Sequence, residues 1–165
     1  MGKGHRGGRP GRLHVQFGHN DHYKENGQHL VSTADYKKNL GNYVQQVRDQ
    51  GATPILVTPM CRRIFGENGK IKKSFDDYPN MVLELAQETH TDLIDLYEIS
   101  FQEFGKMSQE ETKDFFLYLL PNKYPAFPEG KKDGVHFQLN GARQLAGWVV
   151  KDATRQQLTV AALFR

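Results

Sequence analysis

The segment Thr53-Pro54-Ile55-Leu56-Val57-Thr58 decides the fold class of this chain. It is a short apolar run bounded by turn residues, which is typical of a strand buried on both faces of a parallel sheet. Before it, Leu13–Phe17 alternates apolar and polar residues and predicts another strand. Between the two, apolar residues from Tyr36 to Val47 follow helical spacing, and Ser32 or Thr33 can cap the helix they form. This order indicates two parallel strands joined by a crossover helix.

The rest of the chain continues this alternation of strands and helices. Downstream the pattern predicts a helix after Pro79, a strand at Leu93–Leu96, helices at Glu98–Gly105 and Gln109–Leu119, a loop over 120–135 and a helix at Asn140–Val150. Such alternation implies a parallel sheet with helices on its faces. We therefore predict an α/β three-layer sandwich with a parallel, flavodoxin-like sheet, in which only three strands are evident and the first is an edge strand.

Length and composition indicate one globular domain with a short basic extension. The chain has 165 residues, of which 38% are hydrophobic and 25% are charged. Residues 1–12 are rich in glycine, lysine and arginine, so we expect a disordered basic extension over 1–12 and the folded domain over 13–165. A basic tail can bind nucleic acid, but no aromatic side chain is interleaved with these cations, so the sequence does not favour a nucleic-acid partner.

Other sequence features exclude several kinds of protein. No apolar run approaches the ~20 residues of a membrane-spanning helix, so no membrane partner is expected. The basic start has no apolar stretch after it and does not resemble a signal peptide, which leaves the cellular compartment open. Cys61 is the single cysteine, which excludes an internal disulfide and a cysteine-based metal site.

Two segments carry residue types suited to catalysis at the carboxyl ends of parallel strands. Gly18-His19-Asn20-Asp21 follows the first strand directly. Its asparagine amide can donate a hydrogen bond to an oxyanion or, alternatively, can stabilise a polar turn. The second segment is Asp133-Gly134-Val135-His136. The Asp133 carboxylate can accept a hydrogen bond from one ring nitrogen of His136 and leave the other nitrogen free to act as a base. The alternative is that this segment is an exposed turn before a helix.

Three sequence blocks, taken in order, resemble the SGNH (GDSL-type) hydrolases, and most of all their rhamnogalacturonan acetylesterase branch. The resemblance covers Val15–Trp148 and rests on Gln16–Asp21, on Pro54–Pro59 with Arg62-Arg63 behind it, and on Asp133–Phe137 leading to Gly141-Ala142. The resemblance implies that His136 is the general base and that Asp133 orients it. It also implies that Gly18 and Asn20 bind the oxyanion and the substrate.

One part of the family pattern has no counterpart in this sequence. Members of the family begin with a strand that ends in Gly-Asp-Ser, which supplies the nucleophile, and continue with a block that holds an oxyanion glycine. Residues 1–14 contain no serine. We therefore expect a sheet that is truncated at its N-terminal strands, and catalysis that is impaired or uses an unorthodox nucleophile.

No other residue is an evident replacement for the nucleophilic serine. The serines of this sequence occupy helix-capping or loop positions that suit a structural role, namely Ser32, Ser74, Ser100 and Ser108. Cys61 follows a strand and could supply a thiol near His136, and His136 could also activate water directly. The nucleophile is therefore left unidentified.

A metal site is a second chemical interpretation of the same region. His14, His19, His22 and His29, together with Asp21, offer the ligand types of zinc. However, the family pattern accounts for His19, and strand alternation turns His14 away from the cleft. We expect neither a metal nor another cofactor.

Taken together, these features predict an esterase that acts on carboxylic esters, in particular carbohydrate acetyl esters, with a small ester or an oligosaccharide as substrate. The alternative is a carbohydrate-binding remnant that keeps the cleft and does not turn over. Because the first strand would leave an unpaired edge beside exposed apolar sheet, we also expect a homo-oligomer joined across this edge.

Overall fold

A computed structural model describes residues 11–25 and 27–158. Twelve elements follow one another along these residues: β1 Arg12–Val15, β2 Lys24–Glu25, β3 Gln28–His29, α1 Thr33–Asp49, β4 Thr53–Val57, α2 Tyr78–Thr89, β5 Asp92–Ile94, α3 Leu96–Gly105, α4 Gln109–Lys113, β6 Phe116–Leu119, β7 Lys131–Phe137 and α5 Leu139–Arg155.

The main sheet has the strand order β1-β4-β5, and both strand pairs are parallel. Val15 pairs with Leu56, and Leu56 pairs in turn with Leu93. The central strand β4 is the apolar run that decided the fold class, and Ile55 and Leu56 within it are fully buried. The hydrophobic core therefore forms on both faces of β4, since neighbouring side chains of a strand point to opposite faces.

Helices cover both faces of this sheet. The crossovers from β1 to β4 and from β4 to β5 run through α1 and α2, and right-handed crossovers bring both helices to one face. α1 and α2 pack on each other and on β4, whereas α3 and α5 pack on each other and α5 contacts β5. The predicted α/β three-layer sandwich with a parallel sheet is confirmed.

Polar side chains cap three of the helices. The Ser32 hydroxyl accepts a hydrogen bond from the Asp35 N–H and caps α1, as predicted. Asp95, directly after β5, accepts from the Glu98 N–H and turns the chain into α3. Ser108 and Glu111 form a capping box at α4.

The segment between α3 and α5 differs from the prediction. The helix expected at Gln109–Leu119 ends at Lys113, and Phe116–Leu119 instead forms β6. The loop expected over 120–135 contains the start of β7, which pairs antiparallel with β6. Phe116 is fully buried, and its strand is stabilised by a partner far along the chain. The spacing of apolar residues along a segment does not reveal its pairing with a later strand. Here that pairing decides the structure of Phe116–Leu119, although the same residues have helical spacing.

The chain ends bear on two further expectations. β1 begins at Arg12, one residue before the predicted strand, whereas residues 1–10 of the expected basic extension lie outside the described residues. The division into an extension over 1–12 and a domain over 13–165 therefore stays a prediction. Within the described ranges, no helix is long and apolar enough to cross a bilayer.

Candidate active site

His136 and Asp133 form a hydrogen-bonded pair on β7. The His136 Nδ1 atom lies 2.8 Å from Asp133 Oδ2, which gives the ring nitrogen the role of donor to an ionised carboxylate. The second carboxylate oxygen, Oδ1, accepts from the backbone N–H groups of Val135 at 2.8 Å and His136 at 3.0 Å. These bonds fix the imidazole tautomer and leave the lone pair on Nε2.

The surroundings of Asp133 stabilise the ionised form of its carboxyl group. Burial raises the pKa of the carboxyl, but the N–H groups of His136 and Val135, and then the His136 ring, outweigh this effect and bring the pKa to about 2. Asp133 is therefore ionised at neutral pH. Its side chain is 17% exposed and that of His136 is 76% exposed, so the pair presents its imidazole, not its carboxylate, to solvent.

A cleft of about 600 Å³ joins this pair to the loop that follows β1. Asn20, on that loop, and Asp133 and His136, on β7, all line the cleft. Asn20 is exposed, so its side-chain amide is accessible at the cleft wall. The structure thus brings three of the predicted site residues together, whereas their catalytic roles remain predictions.

Gly18, the fourth predicted site residue, lies beneath the turn and is not among the cleft-lining residues. Its N–H already donates to the Asp21 carboxylate at 3.0 Å. Its φ of 121° favours glycine, and a Cβ atom would lie only 3.1 Å from the Tyr36 hydroxyl, which adds to this preference. Gly18 therefore shapes the turn that carries Asn20, and its part in substrate binding stays a prediction.

None of the described residues lining the cleft is a serine, threonine or cysteine. Ser32 and Ser108 cap helices, and the Ser100 hydroxyl is buried between the Cys61 N–H and the Tyr97 carbonyl. Cys61 is fully buried, and burial raises the pKa of its thiol to about 12. The thiol is thus protonated and inaccessible, which contradicts the idea of Cys61 as a replacement nucleophile.

Arg62 and His19 also line the cleft. Arg62 donates to the His19 carbonyl at 2.7 Å and to His22 Nδ1 at 3.0 Å, and its guanidinium lies 4.2 Å from the centre of the Phe75 ring. Burial lowers the pKa of His19 to about 4, and the positive charge of Arg62 adds to this effect. The His19 ring is therefore neutral at pH 7. The sequence had marked Arg62 only as part of a motif, because its partners come from distant loops.

Arg63 connects β7 to the loop that follows β4. Its backbone N–H donates to the Gly134 carbonyl at 2.9 Å, and its guanidinium donates to Thr112 and to the Tyr118 hydroxyl, each at 2.9 Å. A Cβ at Gly134 would lie 3.0 Å from the Arg63 carbonyl oxygen, so glycine permits this close approach. These contacts hold the strand that carries Asp133 and His136 against the carboxyl end of the sheet.

The amino-acid sequence is similar to that of a curated enzyme. Rhamnogalacturonan acetylesterase RhgT of Bacillus subtilis (strain 168) is 35% identical over 139 residues. The match covers 84% of this chain and 59% of RhgT, so the chain spans about three-fifths of the length of this relative. No protein-family model matches the sequence.

Solved structures extend the similarity to the fold. The crystal structure of protein YxiM from Bacillus subtilis is similar with a TM-score of 0.70 and 29% identity, over 89% of this chain and 37% of that one. Axe2, an acetylxylan esterase from Geobacillus stearothermophilus, is similar with a TM-score of 0.59 and 18% identity, over 86% of this chain and 58% of Axe2. At that identity, the likeness to Axe2 shows the fold alone.

Proposed function

We propose that this chain, which belongs with the SGNH (GDSL-type) hydrolases as a relative of their rhamnogalacturonan acetylesterases, acts on carbohydrate acetyl esters through His136, Asp133 and Asn20. The observation that carries the proposal is the 2.8 Å bond between His136 Nδ1 and Asp133 Oδ2 beside a cleft that Asn20 also lines. The bond gives His136 Nε2 the lone pair that a general base needs.

In the proposed reaction, His136 activates water because no serine, threonine or cysteine of the described residues lines the cleft. The water oxygen attacks the acetyl carbonyl while Nε2 takes one water proton. The Asn20 amide donates to the resulting oxyanion, an interaction worth about 3 kcal/mol in comparable sites. The C–O bond to the sugar then breaks and Nε2–H returns the proton to the sugar oxygen. The products are a free sugar hydroxyl group and acetic acid, which releases its remaining acidic proton to water to give acetate.

Asp133 contributes by holding the base in one tautomer and one orientation. Its two backbone N–H donors keep it ionised, so it stabilises the imidazolium that forms when Nε2 takes the proton. General-base catalysis of this kind contributes about 10²–10⁴-fold. A site without a covalent step is therefore expected to be slower than one with a serine nucleophile.

The alternative is a carbohydrate-binding remnant without turnover. The observation that favours it is the composition of the cleft, which offers no serine, threonine or cysteine among the described residues. The cleft does offer Tyr23, Asn20 and Arg62, which are side chains suited to stacking on sugars or bonding their hydroxyls.

Hydrolysis of p-nitrophenyl acetate and of an acetylated pectin oligosaccharide separates these two functions. We expect turnover by the wild type and loss of turnover to the buffer rate in His136→Ala. The control is His90→Asn, which removes an exposed imidazole from the end of α2, where asparagine tolerates the positive φ. Equal rates in all three proteins, together with retained oligosaccharide binding, would favour the remnant.

A second copy of this chain is the proposed occupant of the open side of β1. Among the described residues, β4 is the only strand that pairs with β1. A largely apolar groove of about 610 Å³ runs beside it, and Leu13, Phe17 and Tyr43 are exposed there. Two identical strand edges can pair about a two-fold axis and cover this surface.

The oligomeric state tests this interface directly. We expect a dimer at low micromolar concentration in analytical ultracentrifugation, and a monomer for Leu13→Lys, because a charge on an edge strand opposes pairing. The control Leu30→Lys changes another exposed leucine outside the groove. A monomeric wild type would contradict the interface without affecting the esterase proposal.

A further inference from the structure

Outside the cleft, three side chains converge between the loop after β1 and the turn before α2. Asp76 Oδ2 lies 3.4 Å from His22 Nε2 and 3.2 Å from His29 Nε2. The three potential ligand atoms all lie within 4.8 Å of one another. We propose that His22, His29 and Asp76 bind a divalent transition-metal ion of the zinc class, with water completing the coordination.

Two of the three spacings between these atoms fit a tetrahedral ion. Zinc bonds of about 2.0–2.1 Å to nitrogen and oxygen give an edge of about 3.3–3.4 Å between neighbouring ligand atoms. Both distances from Asp76 Oδ2 are close to this edge. Two histidines and one carboxylate are also a ligand set common to zinc and similar metals, whereas calcium and magnesium prefer oxygen ligands alone.

His29 is already oriented as a ligand. Its Nδ1 lies 2.8 Å from the His22 carbonyl oxygen, which can only accept, so Nδ1 carries the hydrogen. Metal-binding histidines typically donate their second N–H to a backbone carbonyl in this way. In the neutral ring the lone pair on Nε2 then faces the Asp76 carboxylate, and two acceptor atoms at that distance repel each other unless a proton or a metal ion lies between them.

His22 contributes a buried ring nitrogen, Nε2, whose 3.4 Å contact with Asp76 Oδ2 lacks the geometry of a hydrogen bond. Such buried polar atoms are uncommon and destabilising. Arg62 donates to the opposite nitrogen, Nδ1, at 3.0 Å, so this guanidinium must release Nδ1 when Nε2 binds a metal. The bond from Arg62 to the His19 carbonyl at 2.7 Å can persist during this change.

Lys24 competes with the metal for Asp76. Its Nζ lies 3.3 Å from Oδ2, and the side chain is about half exposed on the short strand β2. A flexible, half-exposed lysine can turn into solvent at little cost. Removing its charge should therefore strengthen metal binding, an effect opposite to that of removing a ligand.

The backbone that carries Asp76 is strained in a way that suits a binding site. Phe75 has a φ of 81° and Asp76 a φ of 44°, so two successive residues other than glycine lie in the left-handed region. Each such residue is energetically unfavourable, and such strain concentrates at ligand sites. The Phe75 ring packs edge-on against His19 and His22, and this turn brings Asp76 to the histidines. A bound ion would tie the loop that carries Asn20 to the start of α2.

Titration of the chelator-treated full chain with zinc chloride in a calorimeter tests the site, independently of esterase activity. We expect one zinc ion per chain, at least tenfold weaker binding in His29→Ala and Asp76→Asn, and tighter binding in Lys24→Met. His90→Asn is the matched histidine control and should bind as the wild type does. Cobalt binding, followed by the visible absorption of tetrahedral Co²⁺, provides a second readout.

Two results would overturn the site. One is the absence of saturable zinc binding by the wild type, and the other is binding that His29→Ala and Lys24→Met leave unchanged. Because Lys24→Met is expected to gain affinity, a general loss of folding cannot produce the expected pattern.

Discussion

This molecule has two groups of histidine and aspartate side chains, and the residue type that is exposed differs between them. At the cleft, Asp133 is 17% exposed and His136 is 76% exposed. At the second group, Asp76 is 59% exposed, whereas His22 and His29 are 13% and 23% exposed. A shielded carboxylate that presents an accessible imidazole suits proton transfer to a substrate. Shielded imidazoles that meet an accessible carboxylate suit a fixed ligand, so exposure distinguishes the two groups more clearly than residue type does.

The strongest test of this comparison is Asp133→Asn. An asparagine oxygen can still accept from the two N–H groups, but it carries no charge to stabilise the imidazolium, and the amide can favour the wrong tautomer. We expect kcat on p-nitrophenyl acetate to fall by about 10²–10⁴-fold while zinc affinity stays within twofold. Asp49→Asn, an exposed change at the end of α1, is the control for loss of an acidic charge. A fall in zinc affinity in Asp133→Asn would mean that the two groups act as one site.

Asn20→Ala should have the next largest effect. The substitution removes a donor from the cleft wall and leaves the bond between His136 and Asp133 intact. We expect kcat to fall by about 10²-fold with little change in KM, because an oxyanion donor acts mainly in the transition state. Steady-state kinetics on an acetylated oligosaccharide measure this separation, and a rise in KM at constant kcat would assign Asn20 to substrate binding instead.

The smallest expected effect is on acid stability. The pKa of Asp133 is about 2 in the folded protein, below the value of about 3.9 for an unfolded chain. The carboxylate therefore contributes stability above pH 4, and this contribution is lost as the pH falls towards 2. We expect the free energy of unfolding in urea to be higher in the wild type than in Asp133→Asn at pH 5, and the difference to shrink at pH 2. A difference that does not change with pH would contradict the depressed pKa.

The parallel sheet was predictable because its strands can be recognised from residue patterns within each strand. β4 is an apolar run between turn residues, and Ser32 marks the start of α1. That Asn20 lines the same cleft as His136 also followed from the position of Asn20 after a parallel strand, since such loops gather at one edge of the sheet.

The antiparallel hairpin was not predictable in the same way. Phe116–Leu119 has an apolar composition that fits a helix or a strand, and only its pairing with β7 decides between them.

Asp76 was missed as the partner of His22 and His29 for a related reason. The sequence suggested Asp21, which is the nearest carboxylate, but that side chain accepts from the Gly18 N–H within its own turn.

The exposure of His136 also bears on the size of molecule that can react. An imidazole at an open rim can meet an acetyl group from the side, so a long polymer need not thread a chain end into the protein. The same openness leaves the reacting atoms in contact with bulk water, where the high dielectric weakens every electrostatic contribution to the rate. If the proposed function holds, this geometry suits acetyl groups carried along a polysaccharide chain more than rapid turnover of a small, enclosed ester.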